Sequence, residues 1–215
     1  MPLGNGSSTS RGGGWLRTCT RQVAPPTYDK LLGCFTLEAR VNTDKPERLS
    51  AHHDTSTFDA GPTDTLGQGG WLRDHGLTND ARGITRVFVA CYAGTLRVGA
   101  FFGLSSGTIT RDSLPKPFRP HGTPMAIPVT LIARLAVDEP LQANKLGRGL
   151  LLEALDHAAQ AHEHVGSALI IVDAAGEKAQ RLYGHYGFKA IEDAKARTTR
   201  MVLPVATAIQ LLRGM

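Results

Sequence analysis

One stretch limits the choice of fold more than any other: "VTLIARLAVDEPLQANKLGRGLLLEALDHAAQ", from Val129 to Gln160. Its first residues, Val129 to Val137, form an apolar run rich in β-branched side chains and read as a buried strand. From about Lys145 to His164 the spacing becomes helical. Leu146, Leu150, Leu151, Ala154, Leu155 and Ala158 lie on one stripe, with Glu153, Asp156, His157, Gln160 and His164 on the other side. One face of this helix is expected on a sheet and the other in water. The strand reaches the helix through the polar turn "DEPLQANKLG". Unpaired backbone N–H groups and the positive end of the helix dipole converge at such an entry, which makes it a natural anion site. Lys145 and Arg148 add charge there or stay solvated, and Asn144 offers the alternative of an ordinary helix cap.

Other strands surround this unit. "TRVFVACYAGTLRVGAFFGLSS" is a hairpin whose β-branched and aromatic runs flank Ala93-Gly94-Thr95, with Gly94 supplying the turn. "SALIIVD", "FKAIED" and "TTRMVLP" are further strands, and the folded body opens near "CFTLEARV" or at the latest near "STFDAG". Leu66, Trp71, Leu72 and Leu77 in "PTDTLGQGGWLRDHGLTND" predict a short helical region. "RDSLPKPFRPHGTPMAIP" holds five prolines and is expected to be an irregular exposed loop. Helical patterns between strands predict an α/β (α+β) class. Residues 1–34, rich in Gly, Ser, Thr and Pro, are expected to be a disordered extension, 35–204 the domain, and 205–215 a short helix, used in dimerisation or left as a tail.

No apolar run approaches the roughly 20 residues of a membrane span, and the beginning lacks the apolar segment of a secretory signal, so cytoplasm is the expected compartment. Cys19, Cys34 and Cys91 lack paired metal-ligand spacing and are expected to be reduced and structural. Residues 1–30 supply +3 of the net charge of +5, which leaves the body only weakly basic. Within 178–200, Lys178, Arg181, Lys189, Lys195, Arg197 and Arg200 face Glu192 and Asp193, a local excess of +4 that suits RNA or a solvated surface. Arg111, Lys116 and Arg119 on the proline-rich loop could join it. Arg134 sits inside an apolar strand and must be ion-paired or open to a cleft, where it could meet a phosphate. Asp173 either orients a cofactor or caps the helix after its strand. His52 and His53 read as polar loop surface, and His157, His162 and His164 lack a carboxylate cluster, so no metal is expected.

"ARLAVDEPLQANKLGRGLL" resembles the cofactor motif of GNAT-type acetyl-CoA-dependent N-acetyltransferases, in which the turn reads Gln/Arg-x-x-Gly-x-Gly/Ala. Gln142, Leu146 and Gly147 match; Lys145 and Ala143 stand where glycine is usual. "AQRLYGHYGF", Ala179 to Phe188, resembles the family's second segment, and the two occur in the right order about forty residues apart. The resemblance implies the GNAT fold, a mixed sheet of about six to seven strands flanked by helices. It implies that Leu135, Ala136 and Val137 line the pantetheine arm with peptide groups. The N–H groups of Ala143, Asn144, Lys145, Leu146, Gly147 and Arg148, beside Gln142, would then cradle the pyrophosphate, with Lys145 in a helical conformation. Tyr183, in the second segment, is implied as the acid that protonates the leaving thiolate: a phenol of pKa about 10 stays protonated at neutral pH, against about 8.5 for a thiol. The alternative has Tyr183 packing in the core with its hydroxyl satisfied by backbone.

A narrower resemblance runs through "HHDTSTFDAGPTDTLGQGGWLRDHGLTN", "GAFFGLSSG" and "IPVTLIARLAVDE", which look like the GNAT toxins of bacterial toxin–antitoxin pairs, with Ala60 where Cys is usual. That likeness implies acetylation of the α-amine of aminoacyl-tRNA, a block on translation, and a ribbon-helix-helix antitoxin as partner. Two other functions stay open: an N-acetyltransferase for a small-molecule or protein amine, and a non-catalytic acyl-CoA-binding module, for which Lys145 in the turn is the motive.

Overall fold

Period-two alternation and β-branched runs do build a sheet here, and the long amphipathic stripe does lie on it. The structure, a computed structural model, describes residues 43–119, 122, 124–191 and 198–215. The N-terminal extension with Cys19 and Cys34, all of "CFTLEARV", and the 192–197 part of the basic segment fall outside the described residues.

The strands are β1 (Glu47–Arg48), β2 (Arg86–Cys91), β3 (Val98–Thr110), β4 (Ala126–Val137), β5 (Leu169–Ala174), β6 (Lys189–Ala190) and β7 (Thr199–Pro204). They form a seven-stranded mixed sheet in the order β1-β2-β3-β4-β5-β7-β6. β4 and β5 run parallel because helix α3 (Leu146–Val165) crosses between them; the other pairs are antiparallel. The "TLGQGGWLRDHGLTND" stretch is helical: α1 (Gln68–Trp71), a π turn (Leu72–Gly76) and α2 (Leu77–Ala81). Asp64 starts it by accepting the Gln68 and Gly69 amides at 2.8 and 3.0 Å.

The sheet's two faces carry different cores. Phe102, Leu104, Ile170, Val172 and Leu203 face α3, whose Leu150, Leu151 and Leu155 are fully buried; each such side chain contributes about 1.5–3 kcal/mol. Phe101, Val87 and Val89 face the other way, toward Leu72 and Phe58. A third cluster, with Ile109, Leu114, Ile127 and Val202, closes the far end of the sheet. Helix α4 (Glu177–His185) follows β5, and α5 (Val205–Arg213) packs beside α3 with Val205, Ala208 and Leu212 buried. Val205–Arg213 is thus part of the domain core and no free tail.

Two expectations change. The proline-rich stretch is more regular than five prolines suggest, with short 3₁₀ turns at Arg111–Ser113 and Lys116–Phe118 and with β4 starting at Ala126. Pro128 lies inside that strand, opposite Thr108, and its carbonyl accepts the Ala168 amide at 2.9 Å, so the bond its missing N–H would make is the one the strand gives up. The helix opens at Leu146 behind a 3₁₀ run, Glu139–Asn144, that consumes most of the polar turn.

Candidate active site

The site begins where two parallel strands part. β4 pairs with β5 only from Val129 opposite Leu169 to Ile132 opposite Val172. Immediately beyond, Gly103 and Leu104 of β3 face Arg134 and Ile132, so Ala133 is an extra residue, a bulge that bends β4. Leu135, Ala136 and Val137 stay paired with β3 but have no β5 partner, which leaves their β5-facing edge of peptide groups open. Sequence places these residues on the strand; the bulge and the divergence make them the wall of an opening.

At the end of that wall the chain turns into α3. Lys145 has φ 57° and ψ 13°, the single non-glycine residue with positive φ among the described residues, so the expected helical conformation at this position is wrong. The turn demands the left-handed region that glycine would occupy freely, and lysine holds it at a cost of about 1–2 kcal/mol. Asn144 is not the cap: Lys145 occupies that position and no side chain bonds the first turn. The 3₁₀ run ties up amides at its own end, and the Arg148 amide bonds the Lys145 carbonyl at 3.0 Å, so the expected cradle of Ala143 to Arg148 narrows to the amides around Leu146 and Gly147. Those donors, with Lys145 beside them and no side chain competing, fit an anion such as pyrophosphate. Gln142 points inward: its Nε2 donates to Ala60 O at 2.8 Å and Val137 O at 3.0 Å, which makes it the brace of the turn rather than a phosphate ligand. Arg148 is steered by its Nε donating to Tyr186 Oη at 3.1 Å, linking α3 to the end of α4.

The strain at Lys145 has a measurable sign. Lys145→Gly is expected to hold or raise the thermal unfolding midpoint, gaining up to about 1 kcal/mol, because the relief exceeds the added unfolded-chain freedom. Lys145→Val should lose about 1–2 kcal/mol, since a β-branched residue tolerates positive φ worst. Equal midpoints for the two variants would disprove the strain.

Asp138, 1% exposed, locks the base of the turn. Its Oδ1 accepts the Asp59 amide at 2.8 Å, and its Oδ2 accepts Tyr92 Oη–H at 2.6 Å and an Arg97 N–H at 3.0 Å. Burial first, then the bond to Asp138, pushes the Tyr92 hydroxyl up to about 12.

Tyr183 lies on α4, 8% exposed, its ring 5.7 Å from that of Phe188. Its carbonyl accepts the amides of Tyr186 and Phe188. Its hydroxyl makes no hydrogen bond among the described residues, so backbone does not satisfy it. Burial, and then the nearby Asp173 carboxylate, pushes it up to about 12. Asp173 does not cap α4, which starts at Gly176 without a side-chain cap; both its oxygens are engaged by Arg200 across the β5–β7 pair, at 2.8 and 2.9 Å.

The family profile for an acetyltransferase (GNAT) domain matches residues 128–204, from β4 to the end of β7, and so takes in the strand opening, the turn and Tyr183. A tRNA-acetylating toxin of Mycobacterium tuberculosis is 34% identical over 144 residues, covering 67% of this chain and 83% of its own. The chain belongs to the tRNA-acetylating GNAT toxins. Among solved structures, AtaT complexed with acetyl-methionyl-tRNAfMet superposes with a TM-score of 0.68 at 25% identity, over 79% of this chain and 98% of that one. A tyrosine-to-phenylalanine mutant of KacT gives 0.69 at 23% identity, over 78% and 98%. AtaTR bound with acetyl-CoA gives 0.66 at 24%, over 78% and 96%. The KacT and AtaTR likenesses establish that the fold is shared.

Other expected residues of this GNAT toxin are distributed unevenly. Arg111, Lys116 and Arg119 sit at the opposite end of β4 from the turn, and Arg119 spends its guanidinium on the Leu114 and Asp112 carbonyls while Arg111 meets Asp112 at 3.6 Å. Among the described residues Arg134 has no ion pair, and it is not fully exposed; its guanidinium carbon lies 4.9 Å over the Trp71 ring. His53 is no surface group, since its Nδ1 accepts the Ser50 amide and its Nε2 meets Glu47 at 2.9 Å. His157 also leaves the wet face: its ring sits 4.2 Å from Phe88 and 5.6 Å from Phe102, and burial holds its pKa below the usual histidine value. A depressed histidine favours the fold at higher pH, and that contribution is lost as pH falls through the unfolded value near 6.5. His157→Phe should therefore lessen the drop in thermal midpoint between pH 8 and pH 5; an unchanged drop would exclude His157 as its source. No group of three metal-ligating side chains occurs among the described residues, and no described helix is long and apolar enough to cross a membrane.

Sequence reasoning missed three contributors: Asp138, Trp71 and Tyr186. Only Asp138 carried a signal, as a lone carboxylate directly ending an apolar strand.

Proposed function

We propose that the enzyme transfers acetyl from acetyl-CoA to the α-amine of aminoacyl-tRNA, and so blocks translation in the cytoplasm. The observation that carries this reading is the open β4 edge at Leu135–Val137, with an anion-binding turn at its end and the protonated phenol of Tyr183 on the helix after β5. When bound, acetyl-CoA supplies a thioester. Peptide N–H groups on the open edge orient and polarise its carbonyl, and the amides at Leu146 and Gly147 with Lys145 hold its phosphates. Tyr183 donates its proton to the departing sulfur as the new N–C bond forms and the C–S bond breaks; the proton shed by the amine restores the phenol.

The acceptor class follows from the acid-only chemistry. Tyr183 is raised to about 12 and cannot serve as a base near neutral pH. An α-amine, with pKa about 7.7–8.0, keeps a sizeable minority of its molecules neutral there, whereas a lysine amine near 10.4 keeps only a trace. This favours an aminoacyl end over a protein lysine. The likeness to a toxin seen with its antitoxin supports an antitoxin as partner, and the ribbon-helix-helix type is our own expectation for it.

The test is to incubate the protein with acetyl-CoA and charged bulk tRNA and to release the amino acids for mass spectrometry. N-acetylated amino acids are expected. Acetylation of polyamines or lysine peptides with untouched tRNA would overturn the reading.

A further inference from the structure

Arg134 stands one residue beyond the Ala133 bulge, on the face of β4 that looks toward α1. The Trp71 ring beneath it is stacked on Phe101, with centroids 6.1 Å apart and planes 10° from parallel, and Phe101 meets Phe58 edge-on at 5.3 Å. Three rings rooted in the core therefore hold one flat shelf, and the guanidinium lies on it. The ring attracts the cation through its π face and accepts none of the guanidinium's hydrogen bonds. Among the described residues Arg134 makes no ion pair and no hydrogen bond. Asp64, the acidic group whose field reaches it, gives both carboxylate oxygens to the amides of Gln68 and Gly69. Burial nevertheless removes part of the water around this charge and lowers its pKa. A half-dry guanidinium with unmet donors is unfavourable until an acceptor arrives. The residue directly opposite on β3 is Gly103, and the Thr85 methyl group fills the place its Cβ would take, 2.8 Å away, so Thr85 packs beside the stem of Arg134.

We propose that Arg134, held over Trp71, is the anchor for a phosphodiester at the 3′ end of the acceptor RNA. This rests on aminoacyl-tRNA being the acceptor and names the residues that seat it. Arg134 precedes Leu135, the start of the open β4 edge, by one strand step of roughly 3.3 Å. A phosphate bound there brings the aminoacyl end to the point of transfer. A planar fork suits phosphate better than an ammonium does, and the tryptophan ring holds the guanidinium in place.

The experiment uses the full chain, unaltered and as Arg134→Met, Arg134→Lys and Trp71→Leu. It measures kcat and KM for charged tRNA across a salt series, acetyl-CoA affinity by calorimetry, and the thermal midpoint. Arg134→Met is expected to raise KM for charged tRNA about tenfold, to change kcat less, and to flatten log(kcat/KM) against log[salt] by about 0.7, the slope of one single-strand phosphate contact. Arg134→Lys should keep that slope with a smaller loss of affinity, and Trp71→Leu should resemble it. An unchanged salt slope in Arg134→Met, with or without a lowered midpoint, would make the arginine a structural brace and overturn the proposal. Absence of tRNA acetylation by the unaltered protein is a separate failure, since it removes the acceptor reading together with the anchor.

Discussion

Tyr183→Phe is expected to lower kcat by about 10²–10⁴-fold, the range of one positioned general acid, while acetyl-CoA affinity and folding persist. The phenyl ring keeps its place, because its packing is with Phe188 and the α3 side of the core, and the lost hydroxyl takes no described hydrogen bond with it. Removing a buried hydroxyl without a partner should leave the thermal midpoint level or slightly higher. The pH behaviour identifies the group. Its pKa is raised from 10.0 to about 12, so the fold keeps a proton that the unfolded chain releases. The contribution is present in full below pH 10 and is lost as pH rises from there toward 12. Tyrosinate absorbance should therefore lose one late-titrating tyrosine in the variant, with Tyr92 left as the other. Full turnover by Tyr183→Phe would remove Tyr183 from the mechanism and return it to packing.

Asp138→Ala is expected to be the most damaging single change away from the reacting groups. The buried carboxylate joins three partners that come from distant parts of the chain: the Asp59 amide, the Tyr92 hydroxyl and Arg97. Alanine leaves all three donors without an acceptor and Arg97 without its counter-charge. Leaving the Asp59 amide and the Tyr92 hydroxyl without an acceptor costs about 1–3 kcal/mol each, while Arg97, its side chain 44% exposed, is taken over by water; together that is roughly 10 °C in midpoint for a chain of this size. Function should fall further than stability. The Glu139 amide bonds Asp59 O at 2.8 Å and Gln142 bonds Ala60 O, so the 58–61 loop and the phosphate turn are stitched together at several points around Asp138. Calorimetry below the midpoint should show acetyl-CoA affinity weakened in the folded variant. Unaltered affinity there would mean that the turn keeps its shape without the lock.

Most of the secondary structure was legible because its signals are local. The Leu150–Leu151–Leu155 stripe is a helix in almost any context, and the runs around Gly94 form a hairpin through pleat and turn chemistry alone. Tyr183 and the strand–turn–helix entry were legible for the same reason, as short motifs of fixed spacing. The errors fall where a distant partner outweighs local preference. Lys145 takes a left-handed conformation because the 3₁₀ run, tied down through Asp138 and Gln142, fixes where the chain must turn. His157 looks solvent-facing by helical phase, yet the edge of the sheet brings Phe88 and Phe102 under it. Asp173 reads as a helix cap and is drawn to Arg200, 27 residues away, by strand pairing.

The amino-acid order alone, through periodicity and motif, was enough to specify the class of fold and the strand–turn–helix entry to α3, and to single out that turn and Tyr183 as the proposed anion site and acid. Tertiary structure decided the rest: that β4 parts from β5 after Ile132, that Gln142 braces instead of binding, and that Arg134 lies on Trp71. The reason is physical. Periodicity records which side of an element is apolar, a property of neighbours three or four residues apart, whereas these decisions depend on which groups from separate strands and loops arrive within hydrogen-bonding or stacking distance when the sheet closes.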